Sequence, residues 1–433
     1  MKKLFIYLML VVLVHSTSLL KGQTTYFPPN SSTIWDTIQP SSLGWCQNRV
    51  DSLTQYVGNT NTKAFIILKG GKIVLEKYYG TFTMDSLWFW ASAGKSLTSV
   101  MIGKAQQEGL LSINNHSSQY LGTGWTSCTT TQENHITVKD QLQMTTGLKD
   151  NVPDPDCTDD TCLIYQADAG TRWAYHNAPY HLLHDVIEQA SGQTLQQYTN
   201  QKIKTPTGMG SGFWFQHVYY SKARDMARFG LLCSANGVWN GTPVMNDPTY
   251  LVDMKNTSNS YNLSYGYLWW LNGKSSFMVP QSQFVFNGSL IPNAPADMYC
   301  ALGKYDQKIY IVPSLDLVVV RMGNAATNTA LALSTYDNVL WEKIMDMYCT
   351  TSLETTATKN VKVFPNPAAA EVYIETGDFA ADEEITVTDL LGKTKSVTFI
   401  KEGTTLIKIN LSELNTGIYF IKGKGWQRRI VIE

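Results

Sequence analysis

Several common reaction signatures are missing from this chain. No G-x-S-x-G elbow occurs, which argues against an α/β-hydrolase way of presenting a serine. There is no H-E-x-x-H pair, no glycine-rich phosphate loop and no basic stripe interleaved with aromatics, so zinc-peptidase, nucleotide and nucleic-acid readings have no motif to rest on. One-sided charge is missing as well: 34 Lys and Arg face 35 Asp and Glu, a net charge of −1 with no global pull toward nucleic acid or an anionic membrane. Nor does an apolar run reach the ~20 residues of a membrane-spanning helix. The run from Leu4 to Val14 is too short to span and follows Lys2 and Lys3. With Ser16, Thr17 and Ser18 after it, it reads as an export signal over residues 1–22, cleaved near Gly22 and Gln23.

Cysteine is present but sparing. Seven cysteines in an exported chain permit disulfides and leave at least one thiol unpaired. Cys157 and Cys162 are the best-spaced pair, closing a short loop, whereas Cys233 and Cys300 sit in apolar runs and read as small core residues.

What the chain does have is enough apolar residue, 43% over 433 positions, for more than one core. A helix-like stretch near Trp45–Tyr56 precedes Ala64–Leu68, Gly70-Gly71 and Ile73–Leu75, which read as a hairpin of buried strands. From about Gly109 to Gly237 the pattern is helical with long loops. Thr137–Asp140 resembles a capping box opening a helix that Gly147 closes; a second stripe runs from Tyr180 to Ala190 and ends at Gly192; a third covers Lys222 to Leu232. Strand character returns at Tyr265–Leu271, Met298–Gly303, Lys308–Val312 and Leu317–Met322, and Ala325 to Tyr348 reads as a long helix. Such an order implies one antiparallel sheet flanked by helices, with a helical lobe, over residues 23–349. Residues 350–360 are polar and threonine-rich, as in a linker. Residues 361–433 carry short strands (Val361–Phe364, Glu371–Glu375, Glu384–Thr388, Thr405–Ile409, Ile418–Lys422) whose spacing suggests a small β-sandwich.

The chemistry concentrates in Trp88–Ser99. Ser92 and Lys95 stand three apart at the head of an apolar helical pattern, so on one helical face the hydroxyl and amine can meet. A desolvated lysine held neutral can act as base for a serine nucleophile. At a helix start, the Ser92 N–H is also among the donors without an intrahelical partner. The S-x-x-K string alone is weak, since Ser18–Lys21 matches it too. A second candidate is Tyr175 with Asn177: a phenol can relay a proton to a leaving group, and a carboxamide can position lysine and substrate. Y-x-N also recurs, at Tyr198–Asn200 and Tyr336–Asn338, and Asn177 could be a plain N-cap with Pro179 in the first turn. A third is Ala301–Gln307, where a strand ending in Gly303 can turn the Lys304 N–H toward a reacting carbonyl; the plain alternative is a hairpin turn.

In order, these pieces resemble the serine β-lactamase and penicillin-binding superfamily, with its S-x-x-K, Y-x-N and K-T-G-like strand. The stretches LQMTTGLKD, GTRWAYHNAPYHLL, ARDMARFGLLCSANGVWNG, YGYLWW and IYIVPSLDLVVVRMG extend the likeness to its class C-like branch, which includes esterases and 6-aminohexanoate-dimer hydrolases. The resemblance covers roughly residues 45–348 and implies Ser92 as nucleophile, Lys95 as base, Tyr175 as proton relay, Asn177 as positioning group, and the Ser92 and Lys304 amides, after Gly303, as oxyanion hole. It implies a secreted hydrolase of a small ester or amide, with a β-lactamase, a D,D-peptidase or an inactive binding protein on the same fold as alternatives. No cofactor is implied. One departure is Ala301, where classical β-lactamases carry lysine.

Two metal readings are weaker. His181 and His184 share a helical face beside Asp185 but lack a third ligand, and Asp154, Asp156, Asp159 and Asp160 could hold calcium or simply form an acidic, disulfide-closed loop. At the C-terminal end, VFPNP at 363–367, DLLGK at 389–393, LNTGIYFI at 414–421 and IVI at 430–432 resemble the sorting domain of type IX secretion. That implies the type IX machinery as a partner and a secreted or cell-surface destination.

Overall fold

The computed structural model describes residues 25–328, 331–349, 361–375, 385–389, 393–403, 405–423 and 426–433. The expected signal peptide (1–22) and linker (350–360) lie outside the described residues. The chain divides into two compact units, Met1–Tyr348 and Cys349–Glu433.

The first unit is built on a six-stranded sheet. Its order is Lys72–Tyr78, Thr62–Lys69, Leu317–Gly323, Gln307–Val312, Tyr299–Gly303 and Trp270–Leu271, each neighbouring pair antiparallel. The middle strands are β-branched runs buried along their whole length, as expected of a sheet covered on both faces. Ala223–Ser234 lies close on the sheet because Gly230 has no side chain: a Cβ there would stand 2.5 Å from Val318 Cγ1. Gln47–Asn59 and Thr335–Asp346 pack together and bury Val50, Leu53, Val57, Leu340, Trp341 and Ile344. The helical lobe contains Val138–Gln143 and Asn177–Ser191, the latter closed by Gly192 at φ 66°.

Some expected boundaries move. The closing helix is shorter than Ala325–Tyr348: it begins at Thr335, where Ser334 and Asp337 form a capping box. The Thr137 capping box is present, but its helix stops at Gln143 because Met144 turns left-handed (φ 62°), three residues before Gly147. Within Tyr265–Leu271 only Trp270–Leu271 is strand.

A buried ionic cluster is built on the two central strands. Lys308 Nζ sits 3.1 Å from Asp306 and 2.8 Å from Asp337, all with fully buried side chains, and Tyr310 donates to Asp337. Arg321 donates to Asp306 O at 2.7 Å and Thr62 Oγ1 at 2.9 Å. These bonds pin the turn between Gly303 and Gln307.

The second unit holds two four-stranded sheets. One orders Lys362–Phe364, Glu371–Glu375, Leu406–Asn410 and Thr398–Glu402; the other Thr394–Lys395, Thr386–Asp389, Gly417–Gly423 and Trp426–Ile432. A shared core of Val372, Ile374, Val387, Ile407, Ile409, Ile421 and Ile430 is consistent with a sandwich.

Candidate active site

Ser92 lies where the chain leaves a small sheet. Trp88–Phe89 pairs with Val218–Ser221, and Trp90 continues the contact: its N–H donates to Tyr219 O and its indole to Ser221 Oγ, both at 2.8 Å. Fully buried Trp90 packs on Tyr219 and Phe229 and so anchors the chain just ahead of the serine. Ala91 then adopts φ 47°, a conformation a non-glycine residue holds only when its surroundings impose it. A single 3-10 turn, Ala91–Ala93, presents Ser92 and runs into the helix Gly94–Gln107. The serine is thus one turn ahead of the α-helix rather than inside it.

Lys95 sits in the first helical turn, buried at 4% exposure. Its Nζ lies 3.4 Å from Ser92 Oγ, 4.1 Å from the Tyr180 ring centroid and 5.2 Å from that of Tyr175. Burial pulls the amine down to about 7; the Asp156 carboxylate opposes this and the Lys304 ammonium reinforces it. Near neutral pH a large share of Lys95 is therefore uncharged.

Tyr175 is packed against Trp270 at 5.9 Å and Tyr265 at 6.2 Å. Burial pushes its phenol above the ordinary tyrosine range, and hydrogen bonding with Ser92 partly offsets that. The structure therefore brings Ser92, Lys95 and Tyr175 together.

Asn177 reaches this group indirectly. It is the first residue of the helix, with His176 as N-cap, and its Nδ2 donates to Asp156 Oδ1 at 2.8 Å. Asp156 precedes Cys157, whose disulfide to Cys162 closes the acidic loop, with Cα atoms 6.0 Å apart. Ala178 N donates to Pro155 O, tying that loop to the helix start. Asp154 accepts from the Asp156 N–H and Asp160 from the Thr161 N–H, so these carboxylates stabilise the loop itself. Cys128, Cys233 and Cys300 are free thiols, the last two buried.

Gly303 closes the site from the sheet side. A Cβ there would lie 2.4 Å from Trp90 O and 3.0 Å from Ala93 N, so the strand end meets the serine turn backbone to backbone. Lys304 begins the following turn with an exposed side chain. Ala301 is buried opposite Ile309.

Three site features are not apparent from the sequence. Tyr180, whose spacing marks it only as part of a helical stripe, has its ring closer to Lys95 than Tyr175 does. Asp156 is the carboxylate whose field acts on Lys95. His217 stacks on His181 at 4.2 Å and meets His184 Nδ1 at 3.1 Å, while His184 Nε2 meets Thr98 Oγ1 at 2.9 Å. Burial lowers all three imidazoles, His181 to about 3, so they remain neutral beside the lysine. Among the described residues, no group of three His, Cys, Asp or Glu is placed to hold a metal ion.

Known proteins share both the sequence pattern and the fold. The Beta-lactamase family profile matches residues 53–340, and that of the Secretion system C-terminal sorting domain matches residues 362–433. An uncharacterised protein of Alkalihalophilus pseudofirmus is 22% identical over 324 residues, 64% of this chain and 90% of that protein. Protein flp of Staphylococcus aureus is 24% identical over 241 residues, 50% of this chain; the match spans about half, 46%, of flp. Among solved structures, a Bacillus anthracis protein described as a 6-aminohexanoate-dimer hydrolase superposes with a TM-score of 0.56 at 18% identity, covering 75% of this chain and 89% of its own. The chain belongs to the beta-lactamase family and ends in a sorting domain of the type IX secretion system.

Proposed function

We propose that the protein is a secreted serine hydrolase that cleaves an ester or amide of a small molecule through a covalent acyl-enzyme. The observation that carries this reading is the Ser92 Oγ–Lys95 Nζ contact of 3.4 Å, with the amine buried and held down to about 7. Neutral Lys95 takes the hydroxyl proton as Oγ attacks the carbonyl. The Ser92 and Lys304 amides face the developing oxyanion across the Gly303 contact. Tyr175, whose phenol burial keeps protonated, passes a proton to the departing alcohol or amine, and water then releases the acid. Asn177 positions Asp156, and through it the charge environment of Lys95. The sorting domain supports release from the cell or display on its surface, after export by the signal sequence.

A fluorophosphonate probe should label the purified protein, with mass spectrometry placing the adduct on Ser92, and Ser92→Ala should fold but resist labelling. An adduct on any other serine would refute the assignment. A β-lactamase is the second reading, favoured by family membership. Buried Ala301 lacks the cation that would pair with a β-lactam carboxylate, a contact worth ~1.5–3 kcal/mol, or roughly ten- to hundredfold in rate. Turnover of p-nitrophenyl acetate or butyrate should therefore exceed that of nitrocefin in kcat/KM; the reverse order would establish the second reading.

A further inference from the structure

The three-stranded sheet that delivers Ser92 has an unusual outer face. Phe213–Phe215 pairs with Val218–Ser221, which pairs with Trp88–Phe89. Side chains alternate across such strands, so one face should meet the core and the other, facing water, should be polar. The inner face is as expected: Tyr219 lies 5.0 Å from both Trp90 and Trp214 and is fully buried. The outer face is aromatic too. Phe213, Tyr220 and Phe89 are directly opposite one another across the three strands. Phe213 stacks on Tyr220 at 5.2 Å with ring planes 6° apart, and Tyr220 meets Phe89 at 6.3 Å. Tyr305, at the turn after Gly303 and Lys304, extends the row edge-on to Phe89 at 6.0 Å. Phe213 is 39% exposed, Tyr305 43%, and Phe215, on the same outer face, 57%.

Two neighbouring members of this row, Phe89 and Tyr305, are chained to the site. Phe89 lies three residues before Ser92, at most about 11 Å of extended chain. Tyr305 lies two residues after Gly303, whose backbone touches the serine turn. Tyr305 is also held at φ 60°, a conformation disfavoured for a bulky side chain. A row of aromatics that is exposed at Phe213 and Tyr305, half-buried at Tyr220 and Phe89, and tied by the chain to Ser92 suits a flat ring, which binds by offset or edge-to-face contact.

We propose that the row Phe213–Tyr220–Phe89–Tyr305 is a substrate shelf, and that the substrates are esters or amides carrying an aromatic ring a few bonds from the scissile carbonyl. This rests on Ser92 being the nucleophile. Boronic acids separate the two claims: the serine hydroxyl adds to trigonal boron, forming a B–O bond and a tetrahedral anion and releasing a proton. Inhibition by 2-phenylethylboronic acid is compared with that by n-butylboronic acid, in the full-length protein and in Phe213→Thr/Tyr305→Gly; both positions are exposed, and at position 305 glycine also suits φ 60°. The aryl compound should inhibit the native protein at least tenfold more tightly, and the gap should fall to threefold or less in the double variant while n-butylboronic acid inhibits both proteins equally. Equal inhibition of the native protein by both compounds would overturn the shelf but not the nucleophile. A tenfold preference that survives the substitutions would overturn it as well. If neither boronate inhibits, the nucleophile reading fails and the shelf falls with it.

Discussion

At the residue scale the decisive quantity is the charge on Lys95. Its amine is buried among Tyr175, Tyr180 and the neutral histidines His181, His184 and His217, with Asp156 and Lys304 as the charged groups acting on it. In the proposed mechanism the active form is the uncharged one, so kcat/KM for an ester should rise with pH through a midpoint at about 7. Asp156 favours the charged lysine, so Asp156→Asn should move that midpoint down, making the acid side of the profile more active relative to its plateau. A midpoint that stays fixed or rises would show that Asp156 does not act on this amine. The grouping of Ser92, Lys95 and Tyr175 was legible because their order along the chain carries the motif. Asp156, Tyr180 and His217 were not, because each joins the site only when loops and helices distant in sequence fold onto one another; nothing in a local string reports that. The carboxamide of Asn177 was legible as a hydrogen-bonding group, yet its partner, Asp156, was not.

At the element scale the sheet strands were readable from strongly β-like runs such as Lys308–Val312 and Leu317–Met322, which fall within observed strands. Thr398–Glu402 escaped notice because every residue in it is exposed, leaving no burial pattern to read. The closing helix was overextended because its start depends on one side-chain cap, Ser334 with Asp337, rather than on periodicity. The same Asp337 belongs to the cluster that holds the Gly303–Gln307 turn. Lys308→Leu would leave Asp306 and Asp337 as two buried carboxylates without their cation, a loss of about 3–5 kcal/mol against a typical total of ~5–15 kcal/mol. The urea midpoint should fall accordingly, and the variant that still folds should turn over ester poorly because Lys304 sits on the loosened turn. An unchanged midpoint would mean that the pairs contribute nothing net.

At the scale of the whole molecule, the two compact units and the two family matches divide the chain at nearly the same place. Each unit has its own hydrophobic core, which is the condition for folding alone. A chain running from Gln23 to Thr350 is therefore expected to fold and to keep whatever hydrolase activity the full chain has, checked by thermal melting and kcat/KM. In the native host, removing Val361–Glu433 should leave the enzyme inside the outer membrane, as fractionation would reveal; normal release would contradict a sorting role for that unit.

The contact between Gly303 and the Trp90 carbonyl also sets an order in time. The serine turn and the strand that faces it are far apart along the chain, at Trp90 and Gly303, so the site does not exist until that long-range contact has formed. A chain threaded unfolded through a membrane carries Ser92 as an ordinary alcohol. On the proposed chemistry, reactivity arrives only once that long-range contact has formed, so the onset of covalent labelling would serve as a clock for this step of folding.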